Sequence, residues 1–191
     1  MTREAKKDQL IALLDGKPIV LVGMMGAGKT TVGRRLAARL KRQFLDSDEE
    51  IEKAANMTIP EIFKSRGEAD FRAGEQRVVS RILKDRDIVL ATGGGAFVNP
   101  ETRALVKAEA ISVWIKADFE LLFSRVSRRS NRPLLQTENP RASLQALIDA
   151  RYPIYAEADV TVVSRDVPQD VVASALIDAM IAHIEAQKDQ N

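Results

Sequence analysis

The chain has 191 residues, 45% hydrophobic and 29% charged, with a formal net charge of +2, which suits one soluble globular domain able to bury a substantial core. So small a net charge makes no general case for nucleic acid or an anionic membrane as partner, and no apolar run approaches the roughly 18 residues of a membrane span. Cysteine is absent, which removes disulfides, thiolate nucleophiles and Cys-ligated zinc together and fits a reducing cytoplasm.

The opening MTREAKKDQLIALLDGK has acidic residues on both sides of a short apolar patch, unlike a signal peptide. Leu10, Ile11, Leu13 and Leu14 are spaced as in a short amphipathic helix packed beside the core. The apolar run from Pro18 to Val22 reads as a buried strand, and Gly23 to Thr30 then spells GMMGAGKT, a fit to G-x-x-x-x-G-K-[ST]. In such a loop Gly23, Gly26 and Gly28 permit the twist that turns successive backbone N–H groups toward an anion. Lys29 can reach the β and γ phosphates, and the Thr30 hydroxyl offers a Mg²⁺ position. TTVGRRLAARL follows with Val32, Leu36 and Leu40 at four-residue spacing, so strand, glycine loop and helix N-terminus together make a phosphate site.

Gln43-Phe44-Leu45 reads as a second strand ending in Asp46-Ser47-Asp48, at the edge where an open parallel sheet binds ligands. From Glu49 to Gly74 the pattern is mostly helical: EEIEKAA, then EIFKSRG opened by Pro60, then Glu68 to Arg72, an inserted region beside the phosphate site. GEQRVVSRILK is a further helix and Asp87 to Ala91 a strand. The glycines of Thr92-Gly93-Gly94-Gly95-Ala96 let the backbone approach a ligand or a neighbouring loop closely. Asn99-Pro100 pairs an N-cap with proline at the first helical position, Ala110 to Ile115 is a strand, and Asp118 caps FELLFSRVSRR. Ser127 to Asn139, with Arg128, Arg129, Arg132 and Pro133, lacks periodicity and is either a basic lid over ATP or a solvated loop. Asn139-Pro140 opens a helix through Tyr155, Asp159 to Val163 is the last strand, and Val171 to about Gln187 the last helix, where His183 is structural or solvated. Five alternations of strand and helix predict an α/β fold with a parallel sheet covered on both faces.

A P-loop alone serves GTPases, ATPases, small-molecule kinases and regulatory nucleotide binders. Here it stands with Asp46-Ser47-Asp48, Phe71-Arg72-x-x-Glu75, Gly93-Gly94-Gly95-Ala96, Arg132-Pro133-Leu134-Leu135 and Arg151-x-x-x-Tyr155. In order and spacing, from Pro18 to the last helix, the set resembles shikimate kinase; the N-terminal extension lies outside the resemblance. The resemblance implies a three-layer α/β/α P-loop fold of nucleoside monophosphate kinase type, with a five-stranded parallel sheet in a single domain over residues 1–191. An N-terminal helical extension at about 1–16, a shikimate-binding insertion at about 47–75 and a lid at about 127–139 would belong to it. It further implies transfer of the ATP γ-phosphoryl group to the 3-hydroxyl of shikimate, giving shikimate 3-phosphate and ADP on the route to chorismate and the aromatic amino acids. ATP and shikimate would be the partners and Mg²⁺ the cofactor of a cytoplasmic monomer. Position by position, Asp48, Arg72, Gly94 and Arg151 would bind shikimate, while Gly26, Ala27, Gly28, Lys29, Thr30 and Thr31 would hold the phosphates. Arg125 would lie against the adenine, Arg132 would enter from the lid, and the loop from Arg165 to Pro168 would cover the other side of the base.

Residue chemistry runs the same way. Arg72 and Arg151 are planar forks suited to a carboxylate. Asp48 can orient the nucleophilic hydroxyl and take its proton. Asp46 suits a Mg²⁺-bound water, with Thr30 as direct ligand. Lys29 and Arg132 would offset charge on the transferring group. Glu75 either fixes Arg72 by an ion pair or is a surface charge on a helix, and Met24 and Met25 are expected to be packing residues. Two rival readings remain: a kinase of another polyol acid such as gluconate, and a non-catalytic ATP-binding module.

Overall fold

Residues 2–128 and 137–189 are described by the computed structural model. Five short apolar runs pair in parallel as one sheet: β1 (Ile19–Val22), β2 (Gln43–Asp46), β3 (Ile88–Ala91), β4 (Ile111–Lys116) and β5 (Val160–Val163), in the order β2-β3-β1-β4-β5. Every residue of β1 and β3 is buried because helices cover both faces, whereas edge strand β5 alternates, with Val160 and Val162 inside and Thr161 and Val163 outside. Leu21 of β1 stands level with Ala91 of β3 and Val113 of β4. The loops leaving β1 and β3 therefore emerge side by side at one edge of the sheet, where a parallel sheet binds its ligands. This is the three-layer α/β/α architecture expected of the sequence.

The helices are α1 (Arg3–Leu14), α2 (Lys29–Leu40), α3 (Ser47–Ala55), α4 (Ile59–Ile82), α5 (Pro100–Glu109), α6 (Phe119–Val126), α7 (Pro140–Tyr155) and α8 (Gln169–Lys188). Side-chain caps start three of them as the sequence indicates. Asn99 Oδ1 accepts from the Glu101 and Thr102 amides, Asp118 Oδ1 from Leu121, and Asn139 Oδ1 from Ala142. α2 buries Val32, Leu36 and Leu40 toward the sheet. α1 buries Leu10 and Leu14 and lies along α8, with Lys6 Nζ 2.8 Å from Asp178 and Gln9 donating to Glu185 at 2.6 Å. Each fully buried Leu or Ile contributes about 1.5–3 kcal/mol relative to exposure, so this seam adds to the core despite its polar rim.

One boundary differs from expectation. α4 opens with a capping box between Thr58 and Glu61 and breaks at Gly67, where φ is 81° and ψ 172°, as the division after EIFKSRG expects, but the stretch from Glu68 to Arg72 runs on through Gly74 into GEQRVVSRILK as one helix. A Cβ at Gly67 would meet nothing, so it is the left-handed backbone and not crowding that favours glycine there. Arg72 and Glu75 consequently share one uninterrupted helical face downstream of the kink. α6 also stops earlier than expected, at Val126, where the Ser127 amide donates to Phe123 O. Among the described residues no helix is long and apolar enough to cross a membrane.

Candidate active site

The phosphate side is built from backbone. Gly23, Gly26 and Gly28 have φ of 139°, 81° and 97°, all in the region that favours glycine. A Cβ at Gly23 would sit 2.7 Å from the carbonyl oxygen of Ile115 on the adjacent strand. Gly28 precedes α2 without any side-chain cap, which leaves the first-turn amides and the positive end of the helix dipole to an anion. Lys29 is buried and its Nζ donates to the carbonyls of Gly23 and Met24, both at 2.8 Å, so the ammonium lies back across the loop. Met24 is 1% exposed, as a packing residue should be, whereas Met25 lines both the phosphate cleft and the adjoining pocket.

Asp46 closes β2 and caps α3. Its Oδ1 accepts from the Asp48 amide at 3.0 Å, and its Oδ2 accepts from the Thr30 hydroxyl at 2.8 Å. Hard oxygen donors from two elements thus meet at the lip of the loop. Among the described residues no group of three or more His, Cys, Asp or Glu is gathered as a metal cage. A cation held by Thr30 and Asp46 would draw its other ligands from phosphate and water, which is how Mg²⁺ is usually bound. The cleft over these groups has a volume of about 430 Å³, and Lys29, Thr31, Asp48 and Gly94 also line it. On its far side Arg125 donates to Gly26 O at 3.2 Å and Ser164 Oγ at 3.4 Å, and Arg128 stands exposed at the rim.

Past Asp48 and Gly94 the cleft continues into a smaller pocket of about 90 Å³, walled by Ile59, Phe63 and Phe71 on one side and by Arg72 and Arg151 on the other. Arg72 Nη1 donates to Glu75 Oε2 at 2.8 Å, its Nη2 donates to Glu68 at 3.2 Å, and its guanidinium stands 5.0 Å from the centre of the Phe71 ring. Glu75 is only 2% exposed, which decides between the two readings of it in favour of the ion pair. Burial pushes its carboxyl above the usual carboxylate range, Arg72 pulls it back down, and Asp48 adds to the upward push.

The three glycines after β3 serve a different end from those of the P-loop. None has a positive φ, so no turn requires them. A Cβ at Gly93 would lie 2.7 Å from Asp48 Oδ1 and 2.8 Å from Glu75 Oε1, one at Gly94 would lie 3.1 Å from Arg151 Nη1, and one at Gly95 would lie 2.6 Å from Arg72 Cζ. Each glycine makes room for a different charged side chain to rest on the backbone. The loop is held from both sides: Ser47 Oγ accepts from the Gly93 amide at 2.9 Å, and the Tyr155 hydroxyl donates to Gly94 O.

Residues far apart in sequence therefore converge. Gly26, Gly28, Lys29, Thr30, Thr31, Asp46, Asp48, Gly94 and Arg125 line the larger cleft, and Arg72 and Arg151 the adjoining pocket. Ala27 is buried under the loop, its amide donating to Met24 O at 3.2 Å. Arg132, Arg129 and most of the expected lid lie outside the described residues. Three groups were not singled out from sequence: the Ser47 hydroxyl, the Tyr155 hydroxyl, and Gln169, which lines the larger cleft. Ser47 and Tyr155 at least stood inside recognised motifs; for Gln169 the sequence carries no signal.

A family model described as shikimate kinase matches residues 25–181. The chain is 53% identical to a shikimate kinase of Bradyrhizobium diazoefficiens over 92% of this chain and 84% of that protein. It is 51% identical to one of Rhizobium leguminosarum over 97% and 93% respectively. A solved shikimate kinase of Acinetobacter baumannii in complex with shikimate is 42% identical, with a TM-score of 0.83 over 93% of this chain and 97% of that one. A gluconokinase of Sinorhizobium meliloti, 16% identical with a TM-score of 0.64 over 92% and 98%, shares the fold. Relatives about half identical along nearly the whole length, together with a family match that takes in both the cradle and the arginine pocket, make this protein an ATP-dependent kinase of the shikimate kinase family.

Proposed function

We propose that the chain binds ATP in the larger cleft and shikimate in the smaller pocket, and transfers the γ-phosphoryl group to the 3-hydroxyl to give shikimate 3-phosphate and ADP. The observation that carries the acceptor assignment is the meeting of Arg72, Arg151 and Asp48 on Gly93, Gly94 and Gly95. Two planar cations suit one carboxylate, and one carboxylate beside them suits hydroxyls. The Acinetobacter relative, whose structure holds shikimate, supports the same assignment.

In this reading the amides from Gly26 to Thr31 cradle the phosphates, and the Lys29 ammonium exchanges its two loop carbonyls for phosphate oxygens as charge gathers there. Thr30 and Asp46 would hold Mg²⁺, which draws charge from the phosphates when bound. Asp48 orients the attacking hydroxyl and takes its proton as the O–P bond forms and the bond to the ADP oxygen breaks. Arg72 and Arg151 bind the acceptor carboxylate, the Gly94 backbone bounds the pocket, and Arg125 lies against the base. Arg132, assigned from sequence, enters from a lid at about 127–139 and shields the reacting groups from water. The remaining assignments are a single domain over 1–191 with an acceptor-binding insertion at about 47–75 and a helical extension at about 1–16, acting as a monomer in the cytoplasm.

The test is ADP release by purified protein with Mg²⁺ and ATP, comparing shikimate, gluconate and no acceptor. Turnover should require shikimate; ATP binding without it would overturn the acceptor assignment. In the same assay Arg132→Ala should lower kcat by about 100-fold or more while shikimate binding changes little. An unchanged kcat would remove Arg132 from the mechanism.

A further inference from the structure

We propose that the hydroxyl of Tyr155 is a positioning group for the acceptor carboxylate, holding Arg151 and the Gly94 peptide in fixed relation to each other. The inference rests on the acceptor assignment above and concerns a residue that assignment leaves without a task.

Packing explains the ring of Tyr155 and not its hydroxyl. The side chain is 0% exposed and its ring lies 6.0 Å from Trp114 and 6.4 Å from Tyr152, contacts that phenylalanine would make equally well. The hydroxyl instead reaches three separate parts of the site. It donates to Gly94 O, it lies 3.8 Å from Met24 Sδ in the P-loop, and it shares the space over Gly94 with the Arg151 guanidinium. Arg151 and Tyr155 stand four residues apart on α7, so the helix itself sets them one above the other. Gly94 accommodates both: a Cβ there would lie 3.1 Å from Arg151 Nη1 and 3.6 Å from Tyr155 Oη.

The direction of this relay is fixed by chemistry. The phenol donates to the Gly94 carbonyl, and because guanidinium has donors and no acceptor, the phenol oxygen can only accept from Arg151. Burial pushes the phenol pKa up to about 12, against the pull of Arg151, so the proton needed for donation stays on the oxygen. Two consequences follow for the pocket. An edge of the Arg151 fork that has Tyr155 as its neighbour over Gly94 has its plane set for the remaining donors to meet a carboxylate. The Gly94 carbonyl is turned toward Tyr155, and the trans peptide then points the Gly95 amide the opposite way.

The experiment compares the full-length parent with Tyr155→Phe, using steady-state kinetics with Mg²⁺ and ATP and two acceptors, shikimate and its methyl ester. Tyr155→Phe should raise the KM for shikimate about tenfold, leave the KM for ATP and kcat within about twofold, and lower the preference for shikimate over the ester by a similar tenfold. Tyr152→Phe is the control, because its hydroxyl donates to Ala117 O away from the pocket; it should leave that preference unchanged. If Tyr155→Phe loses both acceptors equally, or loses ATP affinity as much as shikimate affinity, the hydroxyl is a packing feature and the inference is wrong. A parent enzyme without shikimate-dependent turnover would instead bring down the acceptor assignment, and this inference with it.

Discussion

The loop from Gly23 to Thr30 and the loop from Gly93 to Gly95 leave neighbouring strands and face the same cleft, yet their glycines answer opposite needs. In the first, Gly23, Gly26 and Gly28 adopt backbone angles that side chains disfavour, and the first-turn amides of α2 are left without a side-chain cap. In the second, the angles are ordinary and the missing side chains leave space that Asp48, Glu75, Arg151 and Arg72 fill. Phosphate is common to every nucleotide and can be met by a stretch of local backbone. A particular hydroxy acid needs charges and hydrogen-bond partners of its own, and these arrive from α3, α4 and α7.

Gly23→Ala should break the comparison most severely. Its Cβ would meet a strand carbonyl that cannot move aside, so about 2–3 kcal/mol of stability and roughly 5–10 °C of melting temperature should be lost along with nucleotide binding. A variant with unchanged melting would mean that the loop relaxes at little cost. Gly95→Ala should have a smaller and more selective effect, since the obstructing group is the mobile end of Arg72. The expected outcome is a KM for shikimate raised about tenfold with ATP affinity held within about twofold, and a melting temperature near the parent's. Equal losses for both ligands would show that the two loops are not separate devices. The smallest effect concerns pH. Unfolded tyrosine ionises near pH 10, whereas native Tyr155 holds its proton to about 12. Between these values the native state binds more protons than the unfolded state, so stability should fall with rising pH by up to about 1.4 kcal/mol per unit. Denaturant titrations of Tyr155→Phe across that interval should show a shallower decline than the parent, and parallel curves would refute the buried, neutral phenol.

The same contrast explains what the sequence made legible. The P-loop occupies eight consecutive residues whose spacing alone declares it, and the caps at Asn99, Asp118 and Asn139 announced three helix starts within a residue or two of their place. The proposed acceptor pocket joins residues from Asp48 to Arg151, so its members could be named by family resemblance while their contacts could not. Glu75 shows why: as a charge on a helix it is ambiguous in sequence, and only the folding of α4 against the glycine loop buries it. The break at Gly67 was legible from sequence, whereas the second one read at Gly74 does not occur, because an isolated glycine in a helical pattern is usually tolerated without a break. The need for three consecutive glycines became intelligible only when the side chains that press on each of them could be identified.

The pairing of β1 with β3 has a consequence for how far the phosphoryl group must travel. Neighbouring strands lie about 4.8 Å apart, and here one carries the proposed donor loop and the other the proposed acceptor loop. Their alignment is pinned beyond the last paired residues by Thr92, whose amide and hydroxyl both donate to Leu21 O, at 3.1 and 2.9 Å. A slip of one residue would displace one loop along the other by about 3.3 Å, more than the length of the bond being made. The sheet thus acts as a ruler under the reaction, and the side chains around the acceptor can change while the gap between donor and acceptor keeps its length.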